Sequence, residues 1–110
     1  MYNRVFHVDL HATGPGTCRV TVAGDVDVVT APAVRDALRE AMSRHPHGID
    51  VHCGTVTFID CSGLSALLAG ARAARAAGVE LRLCAVPHTL ARLLRLTQAH
   101  GSFTIDPAAG

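Results

Sequence analysis

The sequence predicts an α/β fold, a mixed sheet of four or five strands with amphipathic helices packed on it. Apolar residues recur at every second position in some segments, as in strands, and three or four apart in others, as in helices. These segments alternate in the order β-β-α-β-α-β-α-β, which favours parallel strands joined by crossover helices. With 110 residues, 49% of them hydrophobic, the chain is expected to form one domain over 3–106 and a frayed tail over 107–110.

The first two strands are predicted to form a hairpin. A Gly-Pro-Gly turn at 14–16 separates them, and glycine accepts positive φ while proline presets the bend. The hairpin therefore adds one antiparallel strand to an otherwise parallel sheet. The alternating apolar residues are Phe6, Val8 and Leu10 in the first strand and Cys18, Val20 and Val22 in the second.

The first helix is predicted to start at Thr30, a good N-cap residue, with Pro32 tolerated in its first turn. Pro46 and Gly48 end the segment. A third strand follows and continues to Ile59. The helix stripe is Val34, Ala37, Leu38, Ala41 and Met42, and the strand carries Ile49, Val51, Cys53 and the apolar run 56–59.

The second helix is predicted to begin at Asp60 and to end before Gly78, which suits a left-handed C-cap. Leucines and alanine line its buried face: Leu64, Leu67, Leu68 and Ala71. The remaining elements are a fourth strand over 79–85, a third helix from Pro87 to a stop at Gly101 with the stripe Leu90, Leu93, Leu94 and Thr97, and a short strand at Phe103 and Ile105.

Composition excludes several classes of function. A net charge of +1 and an aromatic share of 4% argue against a nucleic-acid-binding protein, which needs basic patches and stacking side chains. No apolar run approaches the roughly 20 residues that span a bilayer, and the N-terminus lacks a signal peptide. We therefore expect a cytoplasmic protein without a membrane partner, and the four cysteines, which form no CxxC pair, are expected to be reduced.

Residues 57–65, Thr-Phe-Ile-Asp-Cys-Ser-Gly-Leu-Ser, carry the most informative pattern. An apolar strand runs directly into small polar residues that open a helix. The free N–H groups and positive dipole of a helix start favour an anion there, so the Ser62 hydroxyl is a candidate phosphoacceptor. A purely structural interpretation is equally open, in which Cys61 or Ser62 is the N-cap and Gly63 permits close packing.

Two motifs together resemble the STAS domain family, in particular its single-domain bacterial anti-sigma factor antagonists: Gly-Asp-Val-Asp at 24–27 and Phe-Ile-Asp-Cys-Ser-Gly-Leu at 58–64. The resemblance implies a non-enzymatic partner switch without a cofactor. The unphosphorylated antagonist binds an anti-sigma factor of the histidine-kinase-like ATPase fold, and a sigma factor is released. That partner can phosphorylate and eject the antagonist, a PP2C-type phosphatase restores it, and we expect a monomer or weak dimer.

The chain departs from the family pattern at one position. In phosphorylated members the acceptor is the Ser or Thr directly after the Asp, in the pattern Asp-Ser-Ser/Thr-Gly. Here Cys61 occupies that position, and a thiol is not a normal substrate for a Ser/Thr kinase. Either phosphorylation moves to Ser62, or the protein is a constitutive antagonist that the kinase does not control.

The resemblance also implies a partner-binding face made of the turn at 60–64 and the loop at 25–30. Structural roles are open for the same residues: Asp27 can hold a loop, Thr30 can cap a helix, and Asp60 can accept from loop N–H groups. The predicted partner-binding residues are Asp25, Asp27, Thr30, Asp60, Cys61, Ser62, Gly63, Leu64 and Ser65.

Other classes of function remain as alternatives. A cysteine at a helix start can be a nucleophile or an oxidation site, so Cys61 suits a thiol redox sensor, and the domain could also be a small-ligand sensor or a scaffold subunit of a sensory assembly. The seven histidines match no zinc signature, since His52 and Cys53 point to opposite faces of a strand, and no metal site is expected. The sequence contains no Walker loop, GxGxxG or HExxH motif.

Overall fold

The computed structural model describes residues 5–106 and follows the predicted order, with a short 3-10 helix added before the last strand. Residues 3–4 of the predicted domain and the predicted tail, 107–110, lie outside the described residues. The strands are β1 (Phe6–Gly14), β2 (Thr17–Val26), β3 (Gly48–Ile59), β4 (Glu80–Cys84) and β5 (Thr104–Ile105). The helices are α1 (Ala31–Arg44), α2 (Cys61–Ala77) and α3 (His88–Leu96), and the 3-10 helix is His100–Ser102.

The five strands form one mixed sheet in the order β1-β2-β3-β4-β5. β1 pairs antiparallel with β2, as predicted for the hairpin, and the other three pairs are parallel. Because the order moves in one direction, each parallel crossover can be right-handed with its helix on the same side of the sheet. The predicted fold class is confirmed, and the radius of gyration, 12.9 Å, is that of a compact domain.

The core lies between one face of the sheet and the three helices. The predicted apolar positions of β2 and β3 are buried there, together with Leu38 of α1, Leu67 of α2 and Leu90 of α3. The other face of the sheet carries polar side chains at positions half exposed to solvent. On it, Arg82 of β4 donates from Nε to Asp50 Oδ1 of β3 at 3.0 Å and from Nη2 to Oδ2 at 3.1 Å.

β3 contains two single-residue irregularities in its pairing with β2. One residue is added between the pairs Thr21↔His52 and Ala23↔Thr55, and another between Gly24↔Val56 and Asp25↔Phe58. Each insertion shifts the alternation of inward and outward side chains by one position. Val56 and Ile59 are therefore both buried although they are three residues apart, and Phe58 is 50% exposed.

Two elements end earlier than predicted, and β4 and β5 each start one residue later than predicted. α3 ends at Leu96, not at Gly101, because Gln98 adopts φ +58° after the helix and Gly101 belongs to the 3-10 helix. β4 ends at Cys84, because Ala85 adopts φ +53° and leaves the strand. Over residues 5–106, no helix has the length and apolar character needed to cross a membrane.

Candidate functional site

The structure brings the two sequence motifs together at the carboxyl ends of β2 and β3. The Asp60 backbone N–H donates to the Val26 carbonyl at 3.2 Å, which holds the start of α2 against the end of β2. Thr57 Oγ1 lies 2.9 Å from Asp25 Oδ1 and donates to it. Loops at the carboxyl ends of parallel strands are the usual place for binding sites in such sheets.

Asp60 is the N-cap of α2. Its Oδ1 accepts from the backbone N–H of Ser62 at 2.9 Å and of Gly63 at 3.1 Å, while its carbonyl accepts the first helical bond from Leu64. The interpretation of Cys61 or Ser62 as the N-cap is wrong, because both already lie inside the helix. The Asp60 carboxylate also supplies the negative charge that a helix start favours, so these two N–H groups are not an open anion site.

Gly63 is required by close packing. A Cβ atom at this position would lie 2.7 Å from Val26 Cγ1, 2.8 Å from Ile59 Cγ1 and 2.9 Å from the Val26 carbonyl oxygen. Gly63 therefore has the structural role predicted for it, which is to permit close packing at the start of the helix. α2 starts in direct contact with the ends of β2 and β3, and this fixes the direction in which Ser62 and Ser65 leave the sheet.

The loop between β2 and α1 is held by its own side chains. Thr30 Oγ1 donates to the Asp25 carbonyl at 2.8 Å and accepts from the Asp27 N–H at 2.9 Å. Asp27 Oδ1 accepts from the N–H groups of Val29 at 3.0 Å and of Thr30 at 3.2 Å. Thr30 occupies the predicted N-cap position of α1, but its side chain makes no capping bond and ties the loop together instead.

This rigid loop exposes apolar side chains beside the start of α2. Val28 is 71% exposed and Val29 is 67% exposed, and Phe58 at the end of β3 is 50% exposed. None of the three is among the nine predicted partner-binding residues, although both valines lie in the predicted loop 25–30. Two adjacent valines between the polar residues of a loop were a usable signal, whereas the exposure of Phe58 depends on the irregular pairing of β3.

The nine predicted partner-binding residues differ in exposure. Two of them are exposed, Cys61 and Ser65. Four are half-buried, Asp25, Asp27, Asp60 and Ser62, and three are buried, Thr30, Gly63 and Leu64. Ser62 and Ser65 line a surface depression together with Val28 and Arg35 of the neighbouring loop and helix. Cys61 is not among the residues that line this depression.

All four cysteines are free thiols, and three of them are buried. Burial raises the pKa of Cys53 to about 12, with Cys84 nearby as the smaller cause, and burial also raises the pKa values of Cys18 and Cys84. Cys61 is the exposed thiol. Within residues 5–106, no cluster of three or more His, Cys, Asp or Glu side chains is arranged to hold a metal ion.

Comparison with known proteins identifies the family. The sequence profile of the STAS domain matches residues 11–109, and the chain belongs to this family. No curated protein sequence matches the chain.

Among solved structures, an anti-sigma factor antagonist from Mycobacterium paratuberculosis has a TM-score of 0.77 and 23% identity, over 94% of this chain and 86% of that one. The Bacillus cell fate determinant SpoIIAA in its phosphorylated form has a TM-score of 0.71 and 16% identity, over 91% of each chain. A sulfate transporter family protein from Wolinella succinogenes has a TM-score of 0.68 and 18% identity, over 87% of this chain and 81% of that one. At these identities the likeness is one of fold.

Proposed function

We propose that this protein is an anti-sigma factor antagonist that acts by partner switching, without enzymatic activity of its own. It binds an anti-sigma factor of the histidine-kinase-like ATPase fold, and a sigma factor is released. Membership of the STAS family and the fold shared with antagonists such as SpoIIAA support this function. The proposed setting is the bacterial cytoplasm, with the protein a monomer or weak dimer.

The observation that carries the proposal is the exposed apolar surface beside the start of α2. Val28 and Val29 are each about two-thirds exposed or more, yet the loop that carries them is fixed by hydrogen bonds to Asp27 and Thr30. Ordered, exposed apolar side chains next to polar groups are typical of protein interfaces. Because the loop is already ordered, the docking of a partner there would cost little conformational entropy of the loop.

The predicted binding residues then divide into two roles. The proposed contact residues are the exposed or half-buried ones, of which Ser62 and Ser65 lie on the first turns of α2. Thr30, Gly63 and Leu64 are buried and would act by holding the loop and the helix start in place. In this proposal Asp60 orients α2 through the Ser62 and Gly63 N–H groups.

Whether phosphorylation controls this antagonist depends on which residue, if either, can accept the phosphoryl group. Cys61 occupies the usual acceptor position and is exposed, while Ser62 is half-buried in the depression beside Arg35. Consecutive helical residues differ in direction by about 100 degrees, so a partner's active site that addresses one position does not address the other. Constitutive binding and a displaced acceptor at Ser62 both fit the proposed function.

The proposal is tested by Ser65→Arg. The serine is exposed beside Ser62 and outside the buried stripe of α2, so the variant should fold as the wild type does. The bulk of an arginine side chain there would fill part of the depression that the partner contacts, and we expect binding to fall by roughly tenfold or more, which is about 1.4 kcal/mol of binding free energy. Isothermal titration calorimetry with the ATPase-fold anti-sigma factor of the same bacterium measures this change.

The matched control is Ser43→Arg, the same substitution in the exposed last turn of α1. It adds the same charge outside the depression that contains Ser65 and should leave the affinity unchanged. Equal losses in both variants, or no binding by the wild type to any ATPase-fold partner, would count against the proposed function.

A thiol redox sensor is the second candidate, since Cys61 is exposed at the start of a helix while the other three thiols are buried. Its test is the rate of alkylation by a maleimide at neutral pH. A rate well above that of glutathione, together with loss of partner binding after alkylation, would favour a sensor. The small-ligand sensor and the scaffold subunit remain alternative hypotheses, and no feature of the described residues favours either of them as the exposed Cys61 favours a redox sensor.

A further inference from the structure

A groove runs along the surface between α1 and α2. Its first part is the depression lined by Val28, Arg35 and Ser65, and its second part is lined by Arg35, Arg39, Met42 and Ala73. Arg35 borders both parts, so they lie next to each other along the two helices. From Ser62 to Ala73 the groove extends roughly 16 Å at 1.5 Å per residue, which matches about three turns of a helix.

The two helices approach closely beneath the groove. A Cβ atom on Gly70 of α2 would lie 2.5 Å from Leu38 Cδ1 of α1, so the helices meet without a side chain of α2 between them at this point. Met42 at one end is half-buried and Val28 at the other is 71% exposed. The groove therefore offers apolar contacts at both ends and a shallow floor between them.

The charged residues that line the two parts of the groove are basic, whereas the depression on the other side of Arg39 carries Asp36 and Glu40. Arg35 and Arg39 line the groove, and no acidic residue of the described chain, 5–106, does. Arg35 takes part in no ion pair within those residues, and Arg39 Nη1 lies 3.8 Å from Asp36 Oδ1 in an exposed pair that contributes little. Asp60 does not line the groove, and its Oδ1 accepts from the backbone N–H groups of Ser62 and Gly63.

The occupant that fits this groove is a helix. The groove is walled by helices whose backbone N–H and C=O groups are already paired, so an extended segment docked there would find no backbone partners on this protein. A helix satisfies its own backbone and presents apolar and charged side chains along one face. A second copy of this chain does not supply such a helix with acidic character, because each of α1, α2 and α3 carries more arginines than acidic residues.

We propose that the groove between α1 and α2 binds an acidic amphipathic helix of a partner protein, with carboxylates paired to Arg35 and Arg39 and apolar side chains against Val28 and Met42. The inference rests on the proposed function, since it describes the part of the anti-sigma factor that the antagonist contacts beyond the start of α2. It assigns the specificity of that contact to the two arginines, because complementary charge selects among partners with similar apolar surfaces.

The first experiment uses synthetic peptides, so it does not depend on an identified partner. The probe is a stapled 12-residue helix with leucines on one face flanked by glutamates, and its comparison peptide has lysines in place of the glutamates. Fluorescence anisotropy should show binding of the acidic peptide to the wild type and a loss of roughly tenfold or more for the double variant Arg35→Glu, Arg39→Glu. The basic peptide should bind the wild type more weakly than the acidic one.

The matched control is the double variant Arg75→Glu, Arg92→Glu. It makes the same change in net charge, but Arg75 lies on the opposite side of α2, beside Glu80 and Thr104, and Arg92 lies on α3. Its affinity for the acidic peptide should stay within about twofold of the wild-type value. Equal losses in both double variants, equal binding of the two peptides, or no binding of the acidic peptide would overturn the inference.

Calorimetry with the ATPase-fold anti-sigma factor separates the two proposals. If the wild type binds it and the Arg35→Glu, Arg39→Glu variant binds equally well, the groove inference fails and the proposed function stands. If the acidic peptide binds as expected but no ATPase-fold protein does, the groove is a site for acidic helices, while the proposed function and the assignment of that helix to an anti-sigma factor both fail. Circular dichroism melting of each variant confirms that any loss is not a loss of fold.

Discussion

At the scale of single residues, Asp60, Cys61 and Ser62 are neighbours in sequence but lie in different environments at the start of α2. Asp60 caps α2 and carries the negative charge at the helix start. Cys61 is exposed, and Ser62 is half-buried in the depression beside Arg35. A phosphoryl group on Ser62 would add about −1.5 to −2 charge near the Asp60 carboxylate, and it would need a cation such as Arg35 to balance it.

Cys61→Ser is the variant that distinguishes the two forms of control. Thiol and hydroxyl are close in size and the position is exposed, so we expect little change in stability. The substitution restores the family's Asp-Ser-Ser-Gly turn and places a hydroxyl at the usual acceptor position. Incubation with the ATPase-fold partner and ATP should give a monophosphorylated variant by intact-mass spectrometry, while the wild type gives none.

The control is Cys61→Ser combined with Ser62→Ala, which removes the neighbouring hydroxyl and should still be phosphorylated. Phosphate on Ser62 of the wild-type protein, lost in Ser62→Ala, would contradict constitutive binding and establish a displaced acceptor. Peptide mapping distinguishes the two positions directly.

At the scale of elements, the site depends on how tightly α2 is seated on the ends of two strands. Gly63→Ala tests this contact, because the added Cβ meets the Val26 carbonyl oxygen and two buried side chains at less than 3.0 Å. A backbone oxygen cannot move aside as a flexible side chain can, so we expect a loss of about 1–3 kcal/mol in the free energy of unfolding. Urea denaturation measures the loss.

Gly101→Ala is the matched control, since an added Cβ there meets no atom within 4 Å. It should change the free energy of unfolding by less than about 0.5 kcal/mol. If Gly63→Ala were as stable as Gly101→Ala, the start of α2 would be free to shift. The close packing proposed to orient Ser62 and Ser65 would then be absent in solution.

At the scale of the whole molecule, the buried thiols make stability depend on alkaline pH. The folded-state pKa of Cys53 is raised by burial from 9.0 to about 12, so the folded protein holds this proton more tightly than the unfolded chain does. The resulting stabilisation is complete below pH 9 and is lost as pH rises from 9 to 12. Cys18 and Cys84 shift in the same direction and for the same main reason.

We expect Cys53 alone to remove on the order of 1 kcal/mol of stability by pH 10, because the unfolded chain ionises this thiol one pH unit above its pKa while the folded protein keeps it protonated. The measurement is urea unfolding at pH 8 and pH 10 in a reducing buffer. Cys53→Ala will be less stable at both values because it leaves a cavity. Its loss between pH 8 and pH 10 should be smaller than that of the wild type by this amount, and an equal loss would contradict the assignment.

Most of the architecture could be predicted from the spacing of apolar residues and from the glycines and prolines between elements, because both are local properties of the sequence. The β1-β2 turn, the helix α1 starting after Thr30 and the glycine C-cap of α2 at Gly78 are confirmed on this basis. The boundaries at Ala85 and Gln98 could not be predicted, because neither residue is a glycine and yet both adopt positive φ. Nothing local in the sequence marks such a conformation.

The sequence alone determined the fold class and the family resemblance, and the resemblance implied that the two motifs lie side by side. Only the tertiary structure decided which residues of that site face solvent. Thr30 became a buried anchor, Asp60 became the helix cap, and Phe58 turned outward. For Phe58 the physical reason is strand register between segments distant in sequence, the added residues of β3 opposite β2. For Thr30 and Asp60 it is that several neighbouring polar side chains could make the same local hydrogen bonds, and the folded backbone selects which of them does.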